Sequence, residues 1–375
     1  MILLLTQNFP PDPGGIQALM GDLARALAAS GREVLVLADH IRGKALAEPD
    51  WGAGIVLRRF GGPRPLRRWR KGLAARHALA RQPVRAVIAD SWKSLEALPR
   101  PAVPTLVLAY GSEFPPEASP RKRRRIEASL ARASAIAPIS AFTEGLMRPF
   151  LGAGAPRPVV VHLPIPPQPG PTADKLAWVR TLRGEGPLLL TMARLEPRKG
   201  IDQVIRALPE LAARHPGLRY AIASDGEDRV RLAGLARELG VEERVRFLGF
   251  VDAGAKAALY AGADVFAMPT RRVGASVEGF GLVYLEAAWY GVPSVAGRDG
   301  GAAEAVADGE TGIVCEGDDP AAVAAALGRL LGDEALRRRM GMAAARRVRD
   351  DFNWGSVLPR YLALIGDGPA AGSSR

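Results

Sequence analysis

The sequence predicts an α/β protein made of two doubly wound domains. Three observations carry this: a length of 375 residues, an alternation of short apolar runs with helical patterns along the whole chain, and a proline-rich break near its middle. About 100–200 residues is usual for one domain, so the length suggests two. The composition, 48% hydrophobic and 24% charged, supplies two buried cores and an ordinary polar surface.

In the first half, β-branched and Leu-rich runs predict strands at 2–5, 33–37, 55–58, 86–89 and 105–109. Ala/Leu/Arg patterns of helical period predict helices at 17–30, 71–81 and 120–132. This order is βαβ winding, hence a parallel sheet. Pro164, Pro166, Pro167, Pro169 and Pro171 then fall within eight residues, a stretch that suits neither helix nor central strand. Beyond it, strands are predicted at 187–192, 220–223, 245–248, 265–268, 294–296 and 312–314. They alternate with helices at 201–214, 229–239, 253–260, 282–290 and 302–307, and a long Ala-rich helix follows from Pro320. The expected division is a first domain at 1–165, a linker at 166–184, a second domain at 185–345, and a C-terminal helix at 346–375 that crosses back to the first domain. Two such sheets would face a cleft at their carboxyl ends, where doubly wound folds bind ligands.

Composition excludes several classes. No apolar run approaches the roughly 18–20 residues that cross a bilayer. Residues 1–5 lack a basic flank and are cut short by Thr6, Gln7 and Asn8, so they read as a buried strand of a cytoplasmic protein. One cysteine, Cys315, and four scattered histidines give neither a disulfide framework nor metal-ligand spacing. The net charge of +12 is uneven: residues 1–170 hold 24 Lys+Arg and 12 Asp+Glu, so 24 − 12 = +12, and the remainder is neutral. A basic half suits an anionic membrane surface, an anionic substrate or nucleic acid. Its densest segments are 64–71, which includes Trp69, and 121–125. An anionic membrane partner is expected, at the inner face of the membrane, with a solvated basic face as the plain alternative. Nucleic acid is not expected, since no recognised binding module accompanies the charge.

Three segments carry chemistry. Gly14 and Gly15 lie between the first strand and a helix, where a backbone without Cβ atoms admits a ligand and the helix start favours an anion; an ordinary turn would look the same. Arg194 and Lys199 follow the first strand of the second domain, placed either to hold a diphosphate or as a solvated basic turn. In Glu278-Gly-Phe280-Gly281-Leu282-Val-Tyr-Leu-Glu286 a helix begins between two carboxylates, so free N–H groups and two good acceptors for vicinal hydroxyls sit together.

These segments, with 245–251 and Gly300-Gly301-Ala302-Ala303-Glu304, resemble retaining glycosyltransferase family 4, which has the GT-B fold of two Rossmann-like domains. The stretch 278–306 is similar to mannosyltransferases acting on phosphatidylinositol-type lipids. The resemblance implies transfer of a hexosyl group, mannosyl among the candidates, from a nucleotide-diphosphate sugar to a lipid-linked or cell-envelope glycan acceptor. It implies that the nucleotide sugar is a substrate, and that no cofactor or metal is needed. Arg194 and Lys199 would neutralise the departing diphosphate, Glu278 hold sugar hydroxyls and Glu286 the ribose. Backbone groups of Phe280, Gly281 and Leu282 would meet sugar or phosphate, Phe250 and Val251 border the base, and Gly14 and Gly15 close on the donor. Where relatives place a histidine near the reacting sugar this chain has Tyr110, a hydrogen-bond donor without an imidazolium; Glu113 is a candidate for acceptor binding. A nucleotide-sugar epimerase on the same fold and a non-catalytic basic membrane-surface protein are the alternatives.

Overall fold

The computed structural model describes residues 1–12, 14–40 and 48–367. The chain forms two compact units, one of Met1–Pro166 with the chain from Trp354 on, the other Pro167–Asn353. In the first, the order is β1 (Ile2–Leu5), α1 (Gly15–Ala29), β2 (Val34–Asp39), β3 (Ile55–Phe60), α2 (Arg64–Arg81), β4 (Ala86–Ala89), α3 (Trp92–Leu95), β5 (Thr105–Ala109), α4 (Pro120–Leu130), β6 (Ala135–Pro138) and α5 (Ala141–Met147). In the second it is α6 (Ala173–Arg183), β7 (Leu188–Met192), α7 (Ile201–Arg214), β8 (Arg219–Ala223), α8 (Arg229–Glu238), β9 (Val245–Gly249), α9 (Ala253–Gly262), β10 (Val265–Met268), α10 (Leu282–Trp289), β11 (Ser294–Gly297), α11 (Ala302–Ala305), β12 (Gly312–Cys315), α12 (Pro320–Gly332) and α13 (Glu334–Asp351). A last helix, α14 (Trp354–Leu364), belongs to the first unit.

Each unit holds one six-stranded sheet, ordered β3-β2-β1-β4-β5-β6 and β12-β11-β10-β7-β8-β9, with every strand pair parallel. Central strands such as β1, β4, β7 and β10 are almost wholly apolar and buried at every position, because helices cover both faces. The edge strand β3 alternates instead, with Val56 half exposed. In the second unit, Leu189, Tyr220, Ile222, Val265 and Val295 from the strands meet Val204, Leu208 and Leu211 of α7 and Val323, Leu327 and Leu330 of α12. Leu3, Leu35, Val87, Val107 and Ile136 form the corresponding layer in the first, packed with Trp92, Phe114 and Phe150.

Two boundaries differ from expectation. Within the predicted linker, residues 173–183 form α6, a helix of the second unit. Only Val179 on it is buried, so its hydrophobic period is too faint to read beside the prolines. Val179 fits against Gly262 of α9, while Lys175 meets Asp252 at 3.1 Å and Arg183 meets Asp264 at 3.2 Å. The C-terminal segment does not change unit at residue 346, because α13 runs on to Asp351, where Arg349 Nη2 donates to the Trp289 carbonyl at 3.0 Å. Buried Phe352 ends that helix, and α14 then packs on α1, with Arg360 donating to Val160 O at 3.0 Å and Arg32 holding Asp367 at 2.6 Å.

The turn after β7 reaches the end of β10 through Gly200, which has φ +70°; a Cβ there would stand 2.0 Å from the Pro269 carbonyl oxygen. A side chain would add the left-handed penalty of about 1–2 kcal/mol to that clash. Gly200→Ala is therefore expected to destabilise the second unit by about 2 kcal/mol, roughly 4–8 °C in its thermal midpoint. An unchanged melting curve would show that the Pro269 backbone gives way.

Candidate active site

In the second sheet, β7 and β10 are neighbours, but β8 lies beyond one and β11 beyond the other. The connections leaving their carboxyl ends therefore run in opposite directions, the switch point at which doubly wound sheets take ligands. One loop, 193–200, brings Arg198 and Lys199. The other, 269–281, brings Glu278. Lys199 Nζ and Arg198 Nη1 both donate to Glu278 Oε2, the latter at 2.9 Å. All three side chains are largely buried, between 10% and 17% exposed. Burial alone would raise the Glu278 carboxyl, but the adjacent Lys199 and Arg198 outweigh it and hold it below its ordinary value.

Arg194 takes a different position. Its side chain is 70% exposed and pairs with Glu196 at 2.6 Å, and Glu196 in turn accepts from Arg198 Nε at 2.8 Å. The second cation on Glu278 is thus Arg198, which the sequence reading passed over beside Lys199. The glycine pair singled out in the sequence as Gly300-Gly301 buttresses Glu278 from behind. Gly301 N–H donates to the Glu278 carbonyl at 2.9 Å, and Gly300, at φ +81°, comes so close that a Cβ would lie 2.2 Å from that oxygen.

Phe280 is buried against Phe352, their rings 5.9 Å apart, which fixes the backbone leading into α10. Buried Tyr284 anchors that helix by donating to the Met268 carbonyl at 2.5 Å. Leu282 opens α10, whose N-cap Gly281 supplies no side-chain cap; the Tyr284 N–H closes the first turn on the Gly281 carbonyl at 3.0 Å. One turn on, Glu286 accepts from Lys256 at 2.5 Å and from the Tyr260 hydroxyl at 2.8 Å. Burial and the neighbouring Glu286 push that hydroxyl well above its ordinary pKa, so it stays a donor. Phe250, just after β9, is 83% exposed, an apolar ring left in solvent at the carboxyl edge of the sheet, with Val251 half-buried beside it. Opposite the end of β9, Ser224 has φ 97° and donates its N–H to the Gly249 carbonyl at 2.7 Å. Among the described residues it is the one non-glycine with positive φ. Such conformations gather at functional loops.

The other predicted residues lie in the first unit. Gly14 precedes α1 and Gly15 is its first residue. Tyr110 and Glu113 follow β5, but both turn inward: the Tyr110 hydroxyl meets Met20 Sδ at 3.5 Å, and the Glu113 carboxylate accepts from Tyr110 N–H at 2.8 Å. Burial raises the pKa of each. Asp90, at the end of β4, is fully buried and accepts from Thr6 Oγ1 (2.8 Å), Gln7 N (2.8 Å) and Asn8 Nδ2 (3.2 Å) after β1, and from Ser91 and Ser94. It fixes the loop that leads to Gly14.

Much of the basic charge here is committed internally. Arg67 and Lys71 both hold Asp39, each at 2.8 Å, and Arg68 and Arg125 converge on Glu96. Arg121 and Arg124 remain exposed on α4, and Arg64 and Arg70 on α2, which also carries Leu66, Trp69 and Leu73, 40–56% exposed.

Sequence reasoning missed Arg198, Lys256, Tyr260, Ser224 and Asp90. The doubled cation Arg198-Lys199 before a glycine was a usable signal; the rest depend on contacts between distant segments.

Residues 173–347 match the family described as Glycosyl transferases group 1, and residues 13–168 match Glycosyltransferase Family 4. The chain is 30% identical over 384 residues to a GDP-mannose-dependent alpha-(1-6)-phosphatidylinositol monomannoside mannosyltransferase of Mycobacterium tuberculosis, with 99% of each protein aligned. To the protein of that name from Mycolicibacterium smegmatis it is 41% identical over 227 residues, which cover 58% of each. Among solved structures it is similar to sucrose-phosphate synthase from Thermosynechococcus elongatus (TM-score 0.77, 23% identity, 97% and 98% covered). It is also similar to WaaG, a glycosyltransferase involved in lipopolysaccharide biosynthesis (TM-score 0.65, 18% identity, 98% and 100% covered). The two six-stranded parallel sheets match these structures, so the fold is GT-B. With both domains matched in chain order and a relative aligned over nearly the whole length, the chain belongs to the glycosyltransferases that join a Glycosyltransferase Family 4 domain to a group 1 domain, and it is an enzyme of that class.

Proposed function

We propose that the enzyme moves a mannosyl group, with retention, from GDP-mannose or a related nucleotide-diphosphate sugar to a lipid-linked acceptor at an anionic membrane face. The observation that carries it is the convergence of Arg198 and Lys199 on Glu278 at the β7/β10 switch point. Two cations at one end of a crevice suit a diphosphate. The carboxylate between them has about four acceptor positions and so retains capacity for a sugar hydroxyl. Mannose, the guanine base and the lipid acceptor rest on the names of the mycobacterial relatives.

In the reaction the bond from sugar C1 to the diphosphate oxygen breaks, and a bond from C1 to the acceptor oxygen forms on the same face. The acceptor proton passes to the departing phosphate, so no side chain acts as nucleophile. Lys199 and Arg198, with Arg194 from the loop edge, meet negative charge that grows as the diphosphate leaves. Glu278 orients the sugar, and Glu286, held by Lys256 and Tyr260, is assigned to the ribose. The backbone of Phe280, Gly281 and Leu282 is assigned to sugar or phosphate. Phe250 and Val251 are assigned to the base, and the first unit to the acceptor side.

Glu278→Gln and Lys199→Ala should each lower transfer at least about tenfold, roughly 1.4 kcal/mol of transition-state stabilisation. Near-normal turnover in both folded variants would remove these residues from the site.

Transfer should also survive EDTA, because Arg198 and Lys199 supply the positive charge that a divalent ion supplies elsewhere. Loss of activity on chelation, restored by magnesium or manganese, would show that the phosphates are neutralised otherwise.

We assign the membrane contact to the exposed face of α2 and α4 in the first unit. Leu66, Trp69 and Leu73 form its apolar stripe, and Arg64, Arg70, Arg121 and Arg124 its free charge. Anionic lipid attracts each such cation by about 1 kcal/mol near the surface. No helix among the described residues is long and apolar enough to cross a membrane, so the attachment proposed is peripheral. Co-sedimentation with phosphatidylglycerol vesicles should weaken as salt rises and as Arg70, Arg121 and Arg124 are replaced by Ser. Trp69→Ser should remove a salt-resistant part. Equal binding to neutral and anionic vesicles would make this an ordinary solvated face.

A further inference from the structure

A second set of charges lies behind the Arg198–Lys199–Glu278 cluster. Arg271, three residues past β10, sends both terminal nitrogens to Asp202 in the first turn of α7, at 2.8 and 2.9 Å. Its own backbone N–H donates to the Arg198 carbonyl at 2.9 Å. Arg271 is 13% exposed and Asp202 7%. The chain of charges continues: Asp202 Oδ2 lies 3.6 Å from Arg231 of α8, and Arg231 grips Asp228 through two contacts of 2.6 Å. Asp228 N–H donates to the Leu195 carbonyl at 3.2 Å, beside Gly226, which also packs on Leu195. Two aspartates and two arginines therefore alternate behind the loops that follow β7, β8 and β10. Asp202 and Asp228 are both buried.

We infer that Arg271 is a positioning residue for sugar transfer: gripping Asp202 and the Arg198 backbone, it sets the β10 loop that carries Glu278 in register with the β7 loop that carries Arg198 and Lys199. This rests on the transferase reading of the same site. Arg271 is a poor candidate for touching the substrate itself, since its guanidinium is occupied by Asp202. Its planar fork fixes two points on the carboxylate, whereas lysine would fix one. The pair joins the β10 loop to the first turn of α7 and makes no contact that a donor would replace, so a loss should leave donor binding nearly intact. It should be felt instead where Lys199 and Arg198 must stand within a fraction of an ångström of the leaving diphosphate.

The test compares wild type with Arg271→Gln and Arg271→Lys in two measurements, steady-state transfer from GDP-mannose and amide hydrogen exchange without ligand. In Arg271→Gln, kcat should fall at least about tenfold with donor KM within about threefold, and Arg271→Lys should fall between. Exchange should speed up at residues 198–200 and 277–282 by about tenfold while the β8 amides keep their protection. If wild type transfers no sugar, the functional reading fails, and the exchange measurement still decides the inference. Unchanged exchange at both loops would overturn it, as would faster exchange throughout the second unit, which marks a merely structural role. Should Arg271→Gln not fold, because Asp202 is left buried with too little countercharge, the double variant Asp202→Asn with Arg271→Gln removes both charges. A folded double variant with kcat still reduced about tenfold supports the inference; full recovery of kcat overturns it.

Discussion

A carboxylate buried as deeply as that of Glu278 persists in its charged form only if opposite charge stands against it, and in this protein that charge arrives from a different loop. Arg198 and Lys199 follow β7, Glu278 follows β10, and some 80 residues of chain separate them. The rest of the second unit serves to bring these two loops to one place and keep them there. Gly200 lets one turn rest on the Pro269 carbonyl, Gly300 and Gly301 hold the Glu278 backbone, and the Arg271–Asp202 pair ties the two loops together. Each device works at the carboxyl ends of the strands. There the sheet order sends the connections after β7 and β10 in opposite directions.

The ion cluster also organises the site. Two cations that would repel each other are held together by Glu278. In the reaction proposed above, a leaving diphosphate would meet positive charge already desolvated and aimed, so little reorganisation would remain as charge develops. Glu286 repeats the arrangement on a smaller scale, with Lys256 and Tyr260 fixing a carboxylate that would otherwise be free to turn.

The first unit handles its charge differently. Its excess of basic residues divides into a part locked on buried or half-buried acids, as with Arg67 and Lys71 on Asp39, and a part left on the outer face of α2 and α4. Charge density along the sequence does not distinguish the two. Arg67 and Arg70 are three residues apart in one helix, yet one faces Asp39 and the other solvent.

The α/β winding is legible in the amino-acid order, because central parallel strands must be apolar at every position and their helices amphipathic, and both patterns are local. Lys199 and Glu278 are legible too, since glycine-flanked charges near helix starts are local signals, and Glu286 through its spacing from Glu278. Helix α6 escaped it because one buried valine makes no periodic pattern, and the change of unit at Trp354 escaped it because Phe352 ends α13 through a partner far away in sequence. Only the tertiary structure decided that Arg198 stands on Glu278 while Arg194 faces solvent, and that Tyr110 and Glu113 turn inward. It alone joined Arg271 to Asp202. The reason is physical: a side chain's partner is fixed by which strand ends the sheet order places side by side, and that order comes from packing across the whole unit rather than from any short stretch of residues.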